Sequence, residues 1–209
     1  LLQIRAVNAA GSGTATANFA GTTVPGAPTI TGITTPTDGT YSLLVAFTAP
    51  SGTLTNYQYS TDGGTTWKNR STTGVTSPLT ITTVSASASA LAGNTSYSVQ
   101  IRAVSAAGYG GATSTTTGLT NPVAPTISAY AGYTGDGTKM TLTVGAPTGT
   151  GSITGYKWST NGSTWTAATI VDSTTVVVSG LAANMRYSAG TKIQLIATNS
   201  SGDSSAGNI

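Results

Sequence analysis

Apolar and polar residues alternate along most of this chain with a period of two. Tyr41, Leu43, Val45 and Phe47 fall on one face of a stretch whose other face carries Ser42, Leu44 and Ala46. Met140, Leu142 and Val144 stand against Thr141, Thr143 and Gly145, and Tyr97, Val99, Ile101 and Ala103 against Ser98, Gln100 and Arg102. Successive side chains of a β-strand leave on opposite sides, so the pattern predicts half-buried strands. No segment sustains the three-and-four spacing of a packed helix. Asp38-Gly39, Asp62-Gly63-Gly64, Asp136-Gly137 and Asn161-Gly162 read as hairpin or loop tips between the strands.

The strands recur in order. Gln3-Ile4-Arg5-Ala6-Val7 returns as Gln100-Ile101-Arg102-Ala103-Val104, an offset of 97 (100 − 3), and again, more weakly, as Gln194-Leu195-Ile196-Ala197-Thr198, 94 residues later (194 − 100). Ala27-Pro28-Thr29-Ile30 recurs at Ala124-Pro125-Thr126-Ile127, and Tyr57-Gln58-Tyr59-Ser60 at Tyr156-Lys157-Trp158-Ser159. A period near 100 residues is that of a whole immunoglobulin-like sandwich, too long for a solenoid unit or propeller blade. The expected organisation is therefore all-β. Residues 1–24 are the last strands of a preceding module, 25–120 a complete module, and 121–209 a second module whose last strand is short or truncated. The strands expected at Leu2–Val7 and Ala15–Phe19 then need a partner from elsewhere, which makes them candidates for exchange between subunits.

Several motifs in register resemble the fibronectin type III family: the Ala-Pro openings, Tyr41–Phe47 running into Ala49-Pro50, Leu54–Tyr59, and Leu91-Ala92-Gly93-Asn94-Thr95-Ser96-Tyr97 leading into Val99–Val104. The resemblance implies tandem modules of that fold, with a tyrosine corner in which the Tyr97 hydroxyl bonds back to the chain. The family's core Trp is matched by Phe47 in the first module and by Gly145 in the second. Tyr187 keeps the spacing to Leu181 that Tyr97 has to Leu91, but extra residues around Ser188-Ala189-Gly190-Thr191 leave its corner open.

Chemistry enters mostly by exclusion. Apolar residues make up 38% of the 209 and charged residues only 6%, a balance that favours a packed fold over disorder. The chain has no Cys, His or Glu, which removes disulfides, the usual nucleophile–base pairs and most metal ligands. Its carboxylates are Asp38, Asp62, Asp136, Asp172 and Asp203, and all five sit beside Gly or Ser in turn-like contexts. No enzyme, cofactor or metal site is expected. The eight cations are scattered, which argues against nucleic acid, and no apolar run approaches the ~18 residues of a membrane span.

Ser60-Thr61-Asp62-Gly63-Gly64-Thr65-Thr66-Trp67 resembles the Asp-box of sialidase-type propellers, with a shortened form at Ser159–Trp165. Its chemistry is that of a hairpin staple, the Asp or Asn side chain bonding turn amides. Asn69, Asn94, Asn161 and Asn199 are formal glycosylation sequons, and Ser201-Gly202-Asp203 stands where an integrin loop would but lacks its Arg. Nine Tyr and Trp residues, Trp165 among them, offer a sugar-stacking strip. Tyr130, Tyr133 and Trp158 are the residues expected to touch a glycan or partner.

The expected function is a non-enzymatic structural or adhesive segment of an extracellular fibre, filament or stalk on a bacterial, other cell or virion surface. Its partners would be copies of itself, neighbouring repeats or surface glycans. The alternative is a carbohydrate-binding or spacer module of a secreted carbohydrate-active enzyme.

Overall fold

The computed structural model describes residues 1–37, 39–133, 135–185, 187 and 193–208. Every regular element among them is a strand, and no helix is long and apolar enough to cross a membrane. The chain opens on a hairpin, β1 (Val7–Asn8) and β2 (Gly11–Ser12). Eight strands follow: β3 (Thr29–Thr34), β4 (Leu43–Thr48), β5 (Asn56–Ser60), β6 (Lys68–Asn69), β7 (Leu79–Ile81), β8 (Ser96–Ser105), β9 (Gly108–Ala112) and β10 (Thr116–Leu119). A second set of eight completes the fold: β11 (Thr126–Gly132), β12 (Lys139–Gly145), β13 (Gly155–Ser159), β14 (Thr166–Ala167), β15 (Thr169–Asp172), β16 (Thr175–Ser179), β17 (Gln194–Thr198) and β18 (Gly207–Asn208).

All strand ladders are antiparallel, in two sandwiches. In the first, the sheet β3-β4-β7 faces β10-β8-β5-β6, with β9 also paired to β8. In the second, β11-β12-β16-β15 faces β14-β13-β17-β18. This strand order is that of tandem immunoglobulin-like β-sandwiches in the fibronectin type III arrangement. Each has its own core. Leu43, Val45 and Phe47 from one sheet meet Tyr57, Tyr59, Val99 and Ile101 from the other. Leu142, Val144, Val176 and Val178 meet Tyr156, Trp158, Ile193 and Leu195. These are the alternating positions read from the sequence, buried because each face closes on an opposite sheet. Phe47 packs edge-on against Tyr57, ring centres 4.6 Å apart, and its counterpart by register in the second sandwich is Val144 rather than the Gly145 expected.

Both tyrosine corners form. The Ala92 N–H donates to Tyr97 Oη at 2.8 Å, and the Ala182 N–H donates to Tyr187 Oη at 2.9 Å. The corner left open at Tyr187 is thus closed, because the bond reaches back five residues and depends only on the Leu181–Tyr187 spacing. The inserted Ser188–Thr191 lie outside the described residues, as do Asp38, Arg186 and Lys192.

The opening hairpin differs from the long strands expected. The ladder is regular only at Val7–Ser12 and Asn8–Gly11. Beyond it, single bonds join Gly13 to Ala6, Thr16 to Ile4, and Leu2 reciprocally to Phe19. An isolated two-stranded ribbon has no opposite sheet to flatten it and no third strand to fix its register. Leu2, Ile4 and Val7 are exposed accordingly, whereas their counterparts Val99 and Ile101 are fully buried.

Candidate functional site: the joint between the two sandwiches

Asparagines, hydroxyl side chains and a glycine pair make the contact between the sandwiches. Asn94 follows the corner after Leu91 and adopts φ 51°, a left-handed conformation that Asn tolerates better than most residues. Its N–H donates to the Asn121 carbonyl at 2.7 Å. Its side-chain Nδ2 donates to the Gly151 carbonyl at 2.7 Å, and its own carbonyl accepts from the Gly151 N–H at 2.7 Å. A side chain at Gly149 or Gly151 would collide with Asn94, so the Gly-Thr-Gly loop before β13 is what lets the second sandwich close on the first.

Asn199 completes the contact from the turn after β17. Its Nδ2 donates to Asn94 Oδ1 at 3.1 Å and to the Thr120 carbonyl at 2.9 Å. Its Oδ1 meanwhile accepts from the N–H groups of Ser201 and Gly202. Asn121, in the linker, donates from Nδ2 to the Pro36 carbonyl at 2.8 Å and accepts at Oδ1 from Thr35 Oγ1 at 2.7 Å. The Ser201 hydroxyl adds a 2.6 Å bond to the Leu119 carbonyl. Asn94, Asn121 and Asn199 are 1%, 2% and 4% exposed. Buried amides with their hydrogen bonds made hold a definite geometry, because any other orientation strands polar groups away from water.

The carboxylates are spread through turns. Asp62 accepts from Ser60 Oγ, Thr66 N–H and Thr66 Oγ1, and Trp67 folds back to donate from Nε1 to the Gly64 carbonyl at 3.0 Å. The Asp-box is the hairpin staple its residues imply. Partial burial alone would raise the Asp62 pKa, but the Ser60 and Thr66 hydrogen bonds outweigh it and hold the carboxyl below its ordinary value. Asn161 repeats the staple, accepting from the N–H groups of Ser163 and Thr164. Asp136 is held down to about 2 by the Thr138 hydroxyl and then the Lys139 ammonium. Asp203 pairs with Lys157 at 2.7 Å. No group of three His, Cys, Asp or Glu side chains able to hold a metal occurs among the described residues.

The three residues expected to meet a glycan occupy different places. Trp158 is a core residue, 8% exposed, with its indole N–H buried and unpartnered, so no ligand can stack on it. Tyr130 pairs with Leu142 across β11 and β12 and leaves the sheet on the core side. Its counterpart Ile33 packs into the first core, beside Gly118 of β10. Tyr130 itself is half-exposed. Tyr133 is also half-exposed, with Lys139 Nζ 5.5 Å from its ring centre. Of the joint's asparagines, Asn94 and Asn199 were visible in the sequence as sequons and Asn121 was not. What they do there depends on two loops 105 residues apart.

No protein-family model matches the chain, and no curated protein sequence matches it. Among solved structures, the FN1–FN3 domains of chicken CNTN1 align with 99% of this chain and 72% of their own length, at 15% identity and a TM-score of 0.42.

Proposed function

We propose that this chain is a non-enzymatic segment of an extracellular fibre, filament or stalk at a cell or virion surface, in which sandwiches are locked end to end as rigid spacers. The observation that carries this reading is the buried Asn94–Asn199–Asn121 network. A flexible tether would leave the linker solvated, whereas here the Leu119 and Thr120 carbonyls accept from Ser201 and Asn199 of the second sandwich and the Asn121 carbonyl accepts from the Asn94 N–H. The domain limits follow the same reading, with 25–120 and 121–209 as modules and 1–24 as the closing hairpin of another.

Residual dipolar couplings from the two sandwiches test rigidity directly. A single alignment tensor for both supports the spacer reading, and independent tensors refute it. Electron microscopy of the native material tests the fibre: an axial repeat set by whole modules supports it, and discrete monomers at high concentration refute it. The alternative is a carbohydrate-binding or spacer module of a secreted carbohydrate-active enzyme, with the half-exposed Tyr130 and Tyr133 as its glycan contacts.

A further inference from the structure

The outer faces of the two equivalent sheets differ at three of four matched positions. In the first sandwich, the Arg102 guanidinium lies 4.2 Å from the Trp67 ring centre and 4.4 Å from that of Tyr109. Its Nε donates to Gln58 Oε1 at 2.8 Å, and Gln58 in turn donates to Asn69. The face is filled by its own side chains. At the repeat offsets, Gln58 becomes Lys157, Trp67 becomes Trp165, Arg102 becomes Ile196 and Tyr109 becomes Asp203. The ladders confirm the match, since Gln58 pairs with Arg102 and Lys157 with Ile196.

These replacements dismantle the stack. Among the described residues no cation covers Trp165, and its indole N–H, unlike that of Trp67, has no hydrogen-bond partner there. The hairpin tip is one residue shorter than in the first sandwich and does not return a carbonyl to it. What remains is a cleft of about 540 Å3, roofed by Thr35 and Thr37 of the first sandwich and lined by Lys157, Trp165, Asp203 and Ser204 of the second. Small-molecule sites run from roughly 300 to 1,000 Å3.

We infer that this cleft is a saccharide-binding site. The half-buried indole offers an apolar face to a pyranose ring. Lys157 spends one of its three N–H donors on Asp203, and the pair presents a free donor beside a carboxylate, which matches two neighbouring hydroxyls. The two charges cancel, so the lining favours a neutral polyhydroxylated ligand over an ion. The roof belongs to the first sandwich, so the locked joint sets the cleft's width. The inference does not depend on whether the modules build a fibre.

The test is a nuclear magnetic resonance titration of the whole chain, following the three indole N–H signals and the amides of Asp203 and Ser204. Glucose, galactose, N-acetylglucosamine, cellobiose and chitobiose are added separately, with glycerol as a polyol control. The expected result is a saturable shift at Trp165, Asp203 and Ser204 with at least one sugar, while Trp67 and Trp158 stay in place. Trp165→Ala, read at the amides, and Asp203→Asn should each weaken binding at least about tenfold. Unmoved Trp67 and Trp158 signals in both variants show that the fold is kept. No saturable shift with any of the five sugars, an equal response to glycerol, or binding that survives both substitutions overturns the inference.

Discussion

Asn199 donates a hydrogen bond to Asn94 at 3.1 Å across 105 residues of sequence, and both side chains are buried where the two sandwiches meet. Removing either partner leaves buried amides and carbonyls without water to replace the bond. Asn199→Ala should cost about 1–3 kcal/mol, visible in chemical denaturation. It should also broaden the distribution of intermodule angles in small-angle scattering. Asn94→Gly, which keeps the left-handed backbone and loses the side chain, should loosen the joint with little added backbone strain. An unchanged scattering profile for both variants would show that the network does not hold the joint.

The tyrosine corners give a module-specific probe. Tyr97→Phe and Tyr187→Phe each remove one hydroxyl acceptor from a backbone N–H, at a cost of about 1 kcal/mol. The loss should appear in the unfolding of the sandwich that carries the substitution. Equal stability of Tyr187→Phe and the parent would mean that the second corner is formed without contributing.

At the hairpin staple, Asp62 receives three bonds within five residues. Asp62→Ala should destabilise the first sandwich by about 1–2 kcal/mol. Asp62→Asn should cost less, because the second sandwich builds its own staple with Asn161. The reverse ranking of the two variants would contradict the staple role.

Acid should be the destabilising direction. Asp62, Asp136 and Asp203 have folded-state pKa values below the ~3.9 of a free Asp, that of Asp136 at about 2. A depressed carboxyl adds stability that is complete above its unfolded value and is lost as pH falls through its folded one. With no histidine in the chain, the unfolding midpoint should stay level between about pH 5 and 8 and fall from about pH 4 towards 2. A midpoint that rises on acidification would contradict these environments.

The four sequons divide by burial. Asn94 and Asn199 carry their amides inside the joint, while Asn69 and Asn161 are exposed. Expression in a glycosylating host followed by peptide mass spectrometry should find Asn94 and Asn199 unmodified. Glycan on either would mean that the joint opens before or after folding.

The sequence by itself determined the all-β class, the core faces and the repeat, because strand alternation is local and the two modules state it twice. Leu43, Val45 and Phe47 needed no partner to be recognised as one face. Phe47 could be placed as a core aromatic, and the Asp62 hairpin as a staple, for the same reason. Trp158 and Tyr130 were harder. An aromatic on an alternating strand looks the same whether its face is covered or open, and only the opposite sheet decides which.

The joint and the cleft belong wholly to the tertiary structure. Asn94 and Asn199 read as ordinary Asn-x-Ser/Thr triplets until two loops are brought within hydrogen-bonding distance. The exchange of Gln58, Arg102 and Tyr109 for Lys157, Ile196 and Asp203 was present at the repeat offsets. Its consequence was not, because an emptied face becomes a cleft only when Thr35 and Thr37 of the neighbouring sandwich close over it. Local periodicity fixes which residues face inward. The relation of one folded surface to another arises from contacts far apart in the chain, which no window of sequence contains.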